Sequence, residues 1–69
     1  MNKSIFKDNL KMLRKQEKYN QQQLAQLVGV SQQCVSEWEN GKIEPTLSYL
    51  WKLADIFNIT IDELVGRMD

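Results

Sequence analysis

The chain has 69 residues, nine basic and nine acidic side chains, no histidine and one cysteine. It is read as one small domain over residues 1–69, with an internal disulfide and a zinc site excluded and a reducing cytoplasm as the expected location. A chain this size buries only about 60% of the surface its unfolded form exposes, so association is a natural route to added stability.

No run approaches the roughly 18 apolar residues of a membrane span. The opening "MNKSIFKDNLKML" carries charge from its third residue, unlike a signal peptide. Ser4 is a candidate cap for a first helix, in which Phe6, Leu10 and Leu13 recur at helical spacing. Asn20 followed by Gln23 has the form of a capping box for a second, with Leu24, Leu27 and Val28 as its apolar stripe. Gly29 falls where that helix needs a left-handed residue to stop. Ser31 caps a third helix that buries Val35 and Trp38, and "ENGK" ends it.

Pro45 and Thr46 open a fourth helix, Thr46 as its cap, with Leu47, Leu50, Leu53, Ala54 and Phe57 inward. Thr60 and Glu63 form a second capping box for a short fifth helix that turns Ile61, Leu64 and Val65 to the core. No segment alternates with period two for long enough to be a strand, so the fold class is all-α. The zero net charge hides an uneven distribution. Residues 1–18 hold six basic and two acidic side chains; the remainder holds three basic and seven acidic. The positive end of this dipole permits nucleic-acid binding without requiring it.

Between Gln21 and Asn40 the spacing of Ala25, Gly29, Val35 and Trp38 fits two helices crossing closely through a tight turn. This stretch, "NQQQLAQLVGVSQQCVSEWENGKIEPT", resembles the helix-turn-helix of the Cro/lambda-repressor (Xre-type) transcription regulators, and "LWKLADIFNITIDELV" resembles that family's closing helices. The resemblance covers nearly the whole chain. It implies a five-helix lambda-repressor-like DNA-binding domain with its helix-turn-helix at about residues 21–40. It also implies a bacterial or phage sequence-specific regulator, cytoplasmic and nucleoid-associated, a repressor that binds a palindromic operator as a homodimer.

In that family the third helix enters the major groove with its N-terminal residues toward the bases. A glutamine amide offers a donor and an acceptor, which match N7 and N6 of adenine. Gln32 and Gln33 are therefore expected to contact bases, and Ser36, one turn beyond Gln32, to reach a base or phosphate. Gln21, Gln22, Ser31, Asn40 and Lys42 are assigned to phosphates, with Gln21 also bracing Gln32. Matching positions in the family form a structural ion pair, which here implies Arg14 with Glu39.

Plainer readings stand beside these. Each glutamine is also an acceptable solvated helix start, and Lys7, Lys11 and Lys15 read best as a solvated face that adds diffuse attraction to DNA. Cys34 lies in the first turn of the third helix, where backbone amides favour a thiolate, yet a small packed residue is the simpler reading. Tyr49, Trp51 and Ile56 lie off the centre of the fourth helix's stripe, from incomplete burial or a dimer contact. The fifth helix and the loop around Ile43 are the expected dimer contacts.

The rival function is a protein-interaction module, such as an antitoxin or anti-regulator, with a regulatory protein as partner. An enzyme is disfavoured, because Cys34 has no identifiable base and the chain has no histidine. No metal, cofactor or small-molecule ligand is expected.

Overall fold

The computed structural model describes residues 3–67, and the side chains from residue 5 onward. Five helices follow in order: α1 Lys3–Gln16, α2 Gln21–Val28, α3 Gln32–Glu39, α4 Leu47–Phe57 and α5 Ile61–Val65. The fold is all-α, and no described residue is in a strand. One core runs through all of it. Phe6 and Leu10 come from α1, Leu24, Ala25 and Val28 from α2, and Val35 and Trp38 from α3. Leu50, Leu53, Ala54 and Phe57 of α4 and Leu64 of α5 complete it.

The helix starts follow from their capping residues. Asn20 accepts from the Gln23 backbone N–H while the Gln23 side chain accepts from that of Asn20. The same reciprocal pair joins Thr60 to Glu63. Of the other expected caps, one is corrected and one keeps its position. Helix α1 begins at Lys3, so Ser4 is inside the helix, and its side chain lies outside the described residues. Thr46 occupies the N-cap of α4 without a side-chain cap hydrogen bond, its backbone carbonyl alone receiving Leu50 N–H at 2.9 Å.

Every helix closes in one way. An N–H two or three residues past its end reaches five residues back: Tyr19 to Arg14, Val30 to Ala25, Lys42 to Glu37, Ile59 to Ala54 and Arg67 to Asp62, at 2.8–3.1 Å. This closure puts the intervening residue in the left-handed region. Gly29 takes it at φ 88° between α2 and α3. After α1 the position falls to Lys18, at φ 61°.

The apolar stripes are narrower than their periodicity suggests. Leu27 and Leu47 are 53% and 57% exposed, although both recur at core spacing. Each sits at the edge of its face, where no neighbouring helix covers it. Leu13, Tyr49, Ile56, Ile61 and Val65 pack partly buried against the core, and Trp51 stands 58% exposed. Two side chains fasten helix ends: Asn9 Nδ2 donates to the Glu63 and Leu64 carbonyls, and Lys52 Nζ to that of Val28.

Candidate nucleic-acid interface

The position of α3 is set from beneath. Val35 and Trp38 are fully buried, and the Trp38 ring tilts against Tyr49 with centroids 5.6 Å apart. Ala25 of α2, 2% exposed, belongs to the same core. With one face of α3 committed to the core, Gln32 and Gln33 point out from its first turn, both exposed. Ser31 begins the helix, its Oγ accepting from Cys34 N–H at 3.1 Å, so part of its hydrogen-bonding capacity is already used.

A continuous set of side-chain hydrogen bonds leads from the interior to that exposed turn. Arg14 grips Glu39 with two bonds, Nε to Oε2 at 2.6 Å and Nη2 to Oε1 at 2.9 Å. Its Nη1 donates to the Tyr19 carbonyl at 2.9 Å. The Glu39 side chain is wholly buried and that of Arg14 nearly so. Such a charge stays buried only when paired and hydrogen-bonded, and the pairing holds the Arg14 guanidinium still more firmly protonated than usual.

Oε1 of the same carboxylate accepts from Gln21 Nε2 at 3.2 Å, and Gln21 Oε1 accepts from Gln32 Nε2 at 2.7 Å. Thus α1, α2 and α3 are joined at one point, and Gln32 is held by a side chain from another helix. Among the described residues no buried side-chain nitrogen or oxygen lacks a partner.

The other candidates form the rim of this face. Gln22 is exposed beside Gln21 at the start of α2, where the first backbone N–H groups of the helix open outward. Asn40 caps the far end of α3 and donates from Nδ2 to Ser36 Oγ at 3.4 Å, tying those two together. Lys42 is exposed on the turn that follows.

One further basic residue joins the rim. Lys7 is only half exposed, and its Cδ lies 3.2 Å from where a Cβ on Gly41 would stand. Its stem crosses from α1 to the turn between Asn40 and Lys42. The lysine spacing in α1 carries no sign of this, because the contact depends on how α1 packs across α3.

At Cys34 only the alternative of a thiolate is overturned. Burial, and then the negative charge of Glu37, push its thiol above the ordinary range, which overrides any pull of the helix-start amides toward a thiolate. It is half-buried and packs against the core, as the simpler reading has it. Among the described residues, no group of three or more acidic or cysteine side chains is arranged to hold a metal ion, and no helix is long and apolar enough to cross a membrane.

Comparison with known proteins places this geometry. Residues 10–64 match the helix-turn-helix family model. The chain is 40% identical over 60 residues to the HTH-type transcriptional regulator AnsR of Bacillus subtilis, covering 87% of this chain and 52% of AnsR. It is 38% identical over 61 residues to the HTH-type transcriptional activator BcrR of Enterococcus faecalis, covering 88% and 30%. The chain therefore spans about half or less of these relatives' length. The solution structure of the DNA-binding domain of the P22 C2 repressor superposes with a TM-score of 0.83 at 31% identity, over 94% of this chain and 86% of that one. With that match over most of its length, the chain belongs to the Xre-type helix-turn-helix family of DNA-binding transcription regulators.

Proposed function

We propose that this chain is the operator-reading domain of a bacterial or phage repressor, and that two copies bind the halves of a palindromic site and act by occupying a promoter. The observation that carries this reading is the braced amide of Gln32 on the exposed first turn of α3. Holding a polar side chain rigid at a surface costs conformational entropy, which a solvated helix start gains nothing from spending. A base contact does gain from it. Gln33 and Ser36 are the companion base contacts. Gln21, Gln22, Ser31, Asn40, Lys42 and Lys7 grip phosphates at the two ends of the helix-turn-helix. The fold match to the P22 C2 repressor's DNA-binding domain supports repression, whereas BcrR is an activator of which this chain spans less than a third.

The test is a gel shift of the wild-type chain on promoter DNA of its own gene, against a scrambled duplex of equal length. Binding of the promoter at least tenfold tighter supports the reading. Equal binding of both, or none, moves the protein-interaction module ahead. That second reading draws on Leu27, Leu47 and Trp51, which leave apolar surface uncovered on α2 and α4. A reporter placed behind the bound promoter separates repression from activation.

A further inference from the structure

Of the four described asparagines, Asn9 precedes leucine, Asn20 glutamine and Asn58 isoleucine, and Asn40 alone precedes glycine. A side chain on the following residue hinders attack of its backbone nitrogen on the asparagine amide, and Gly41 has none. We infer that Asn40 is a deamidation site gated by the closure of α3, so that free protein loses its grip on DNA with age while DNA-bound protein is preserved. The protection by DNA rests on the proposed phosphate contacts of Asn40 and Lys42.

The reaction needs water and no other reactant. The Gly41 nitrogen attacks Cγ of Asn40, and the new N–Cγ bond forms as the Cγ–Nδ2 bond breaks. The proton of the Gly41 nitrogen passes through solvent to the departing ammonia, leaving a cyclic succinimide. Water then opens the ring. Opening at the side-chain carbonyl leaves aspartate in an unchanged backbone. Opening at the main-chain carbonyl leaves isoaspartate, with the backbone routed through Cβ. Either way a water is consumed and an ammonia released.

The folded turn holds that attack back. Asn40 has ψ −2°, which places the Gly41 nitrogen over Asn40's own backbone nitrogen and away from the side chain. Ring closure requires this peptide plane to rotate toward Cβ. Two hydrogen bonds oppose the rotation, Gly41 N–H to the Trp38 carbonyl at 3.2 Å and Lys42 N–H to the Glu37 carbonyl at 3.0 Å. Both belong to a helix end, the part of a fold that opens most readily. Asn40 and Lys42 are exposed, and the stem of Lys7 is what lies against Gly41. The Asn40 amide is tied by a long bond, 3.4 Å, to Ser36 Oγ, whereas Asn9 Nδ2 reaches two carbonyls and Asn20 is locked in a capping box. A duplex that grips residues 40 and 42 holds the peptide between them shut.

The product is unsuited to the rim it occupies. A carboxylate at residue 40 removes the Nδ2 donor and sets a negative charge against phosphate. Isoaspartate also lengthens the chain beside Glu39, where α3 ends. A phosphate carries no sequence, so affinity for promoter and scrambled duplex should fall together.

The test ages the whole chain at mildly alkaline pH, alone and with the promoter duplex of its own gene. Asn40→Gln is aged in parallel, because glutamine keeps an amide but must close a larger ring more slowly. Peptide mapping by mass spectrometry follows the exchange of NH2 for OH at each asparagine, and gel shifts compare every sample with its own fresh state. The expected result is modification at Asn40 ahead of Asn9, Asn20 and Asn58. With duplex at about ten times its dissociation constant, that modification should be about tenfold slower. The modified protein should bind both duplexes about 10-fold or more weaker, while aged Asn40→Gln keeps its starting affinity.

Modification at Asn40 no faster than at the other asparagines overturns the inference. So does an equal rate with and without a duplex that the fresh protein binds, because DNA would then not hold the gate. Loss of affinity in Asn40→Gln as fast as in the wild type overturns it as well. Fresh protein that binds neither duplex removes the DNA reading itself, and the protection by DNA with it, however Asn40 ages.

Discussion

Gln32 and Trp38 share the eight residues of α3 and have opposite surroundings, so truncating each separates recognition from folding. Gln32 is exposed, and its replacement by Ala should change stability by under about 0.5 kcal/mol. The same change should cost roughly 1–3 kcal/mol of discrimination per half-site, read as the ratio of specific to scrambled duplex affinity. Lys42→Ala should weaken both duplexes by similar factors, because a phosphate carries no sequence. If Gln32→Ala left both affinities at the wild-type level in a folded protein, the glutamine would be surface filler. Trp38, 1% exposed, stands at the other extreme. Its loss costs about 3–5 kcal/mol, against a total of roughly 3–10 kcal/mol for a chain of this length. Trp38→Ala should therefore be largely unfolded by circular dichroism at 25 °C. At this scale the reading of the sequence was fullest where one residue decides its own surroundings. The caps at Asn20, Ser31 and Thr60 and the turn at Gly29 are local chemistry and were all legible. The bond from Gln21 to Glu39 spans 18 positions and depends on how α2 lies on α3, which no local pattern encodes.

At the scale of the element, the helix ends contain one mismatch between residue and conformation. Four of the five closures use Gly or Asn in the left-handed position, residues 29, 41, 58 and 66, whereas α1 uses Lys18. That is why the end of α1 gave no signal in the sequence. An L-residue with a Cβ pays about 1–2 kcal/mol there, and glycine returns about 0.4–1 kcal/mol of that in unfolded-state entropy. Lys18→Gly should therefore stabilise the domain by about 0.5–1 kcal/mol, read from the urea midpoint. Gly66→Ala has the opposite sign. Its φ is 75°, and an added Cβ would collide with Ile5 Cγ2 where α5 ends against α1. Strain and steric conflict together should cost more than about 1 kcal/mol. An unchanged midpoint in Gly66→Ala would mean that this end of α5 contributes nothing to the global fold. The exposed Leu27 and Leu47 show the limit of periodicity in the same terms. Spacing identifies the face of a helix, but the width covered depends on where the neighbouring helices lie.

For the whole molecule, the charge distribution becomes a statement about how it meets DNA. The net charge is zero, yet six of the nine basic side chains lie in residues 1–18, and Lys7 crosses to the rim beside Lys42. Arg14 is consumed internally by Glu39, so it neutralises no phosphate. Most of the proposed phosphate contacts are neutral amides and hydroxyls, which release no counterions. Operator affinity should accordingly fall with salt by only about 2–4 ions per monomer, at a slope of about −0.9 per neutralised phosphate. Insensitivity to salt from low to moderate ionic strength would count against DNA as the ligand. Geometry then sets the assembly. On the proposed reading, one α3 would cover only a few base pairs, too little to find a site in a genome. Two copies about 34 Å apart along the duplex would read both halves of a palindrome. The exposed Ile43, in the loop before α4, and the short α5 supply the expected contact between them. Self-association should therefore be weak in solution and completed on DNA. In footprinting, protection of the two half-sites should appear together over one narrow range of protein concentration, and Ile43→Asp should split it into separate, weaker events. A single protected half-site that never recruits a second copy, at any concentration, would show that the chain reads DNA as a monomer.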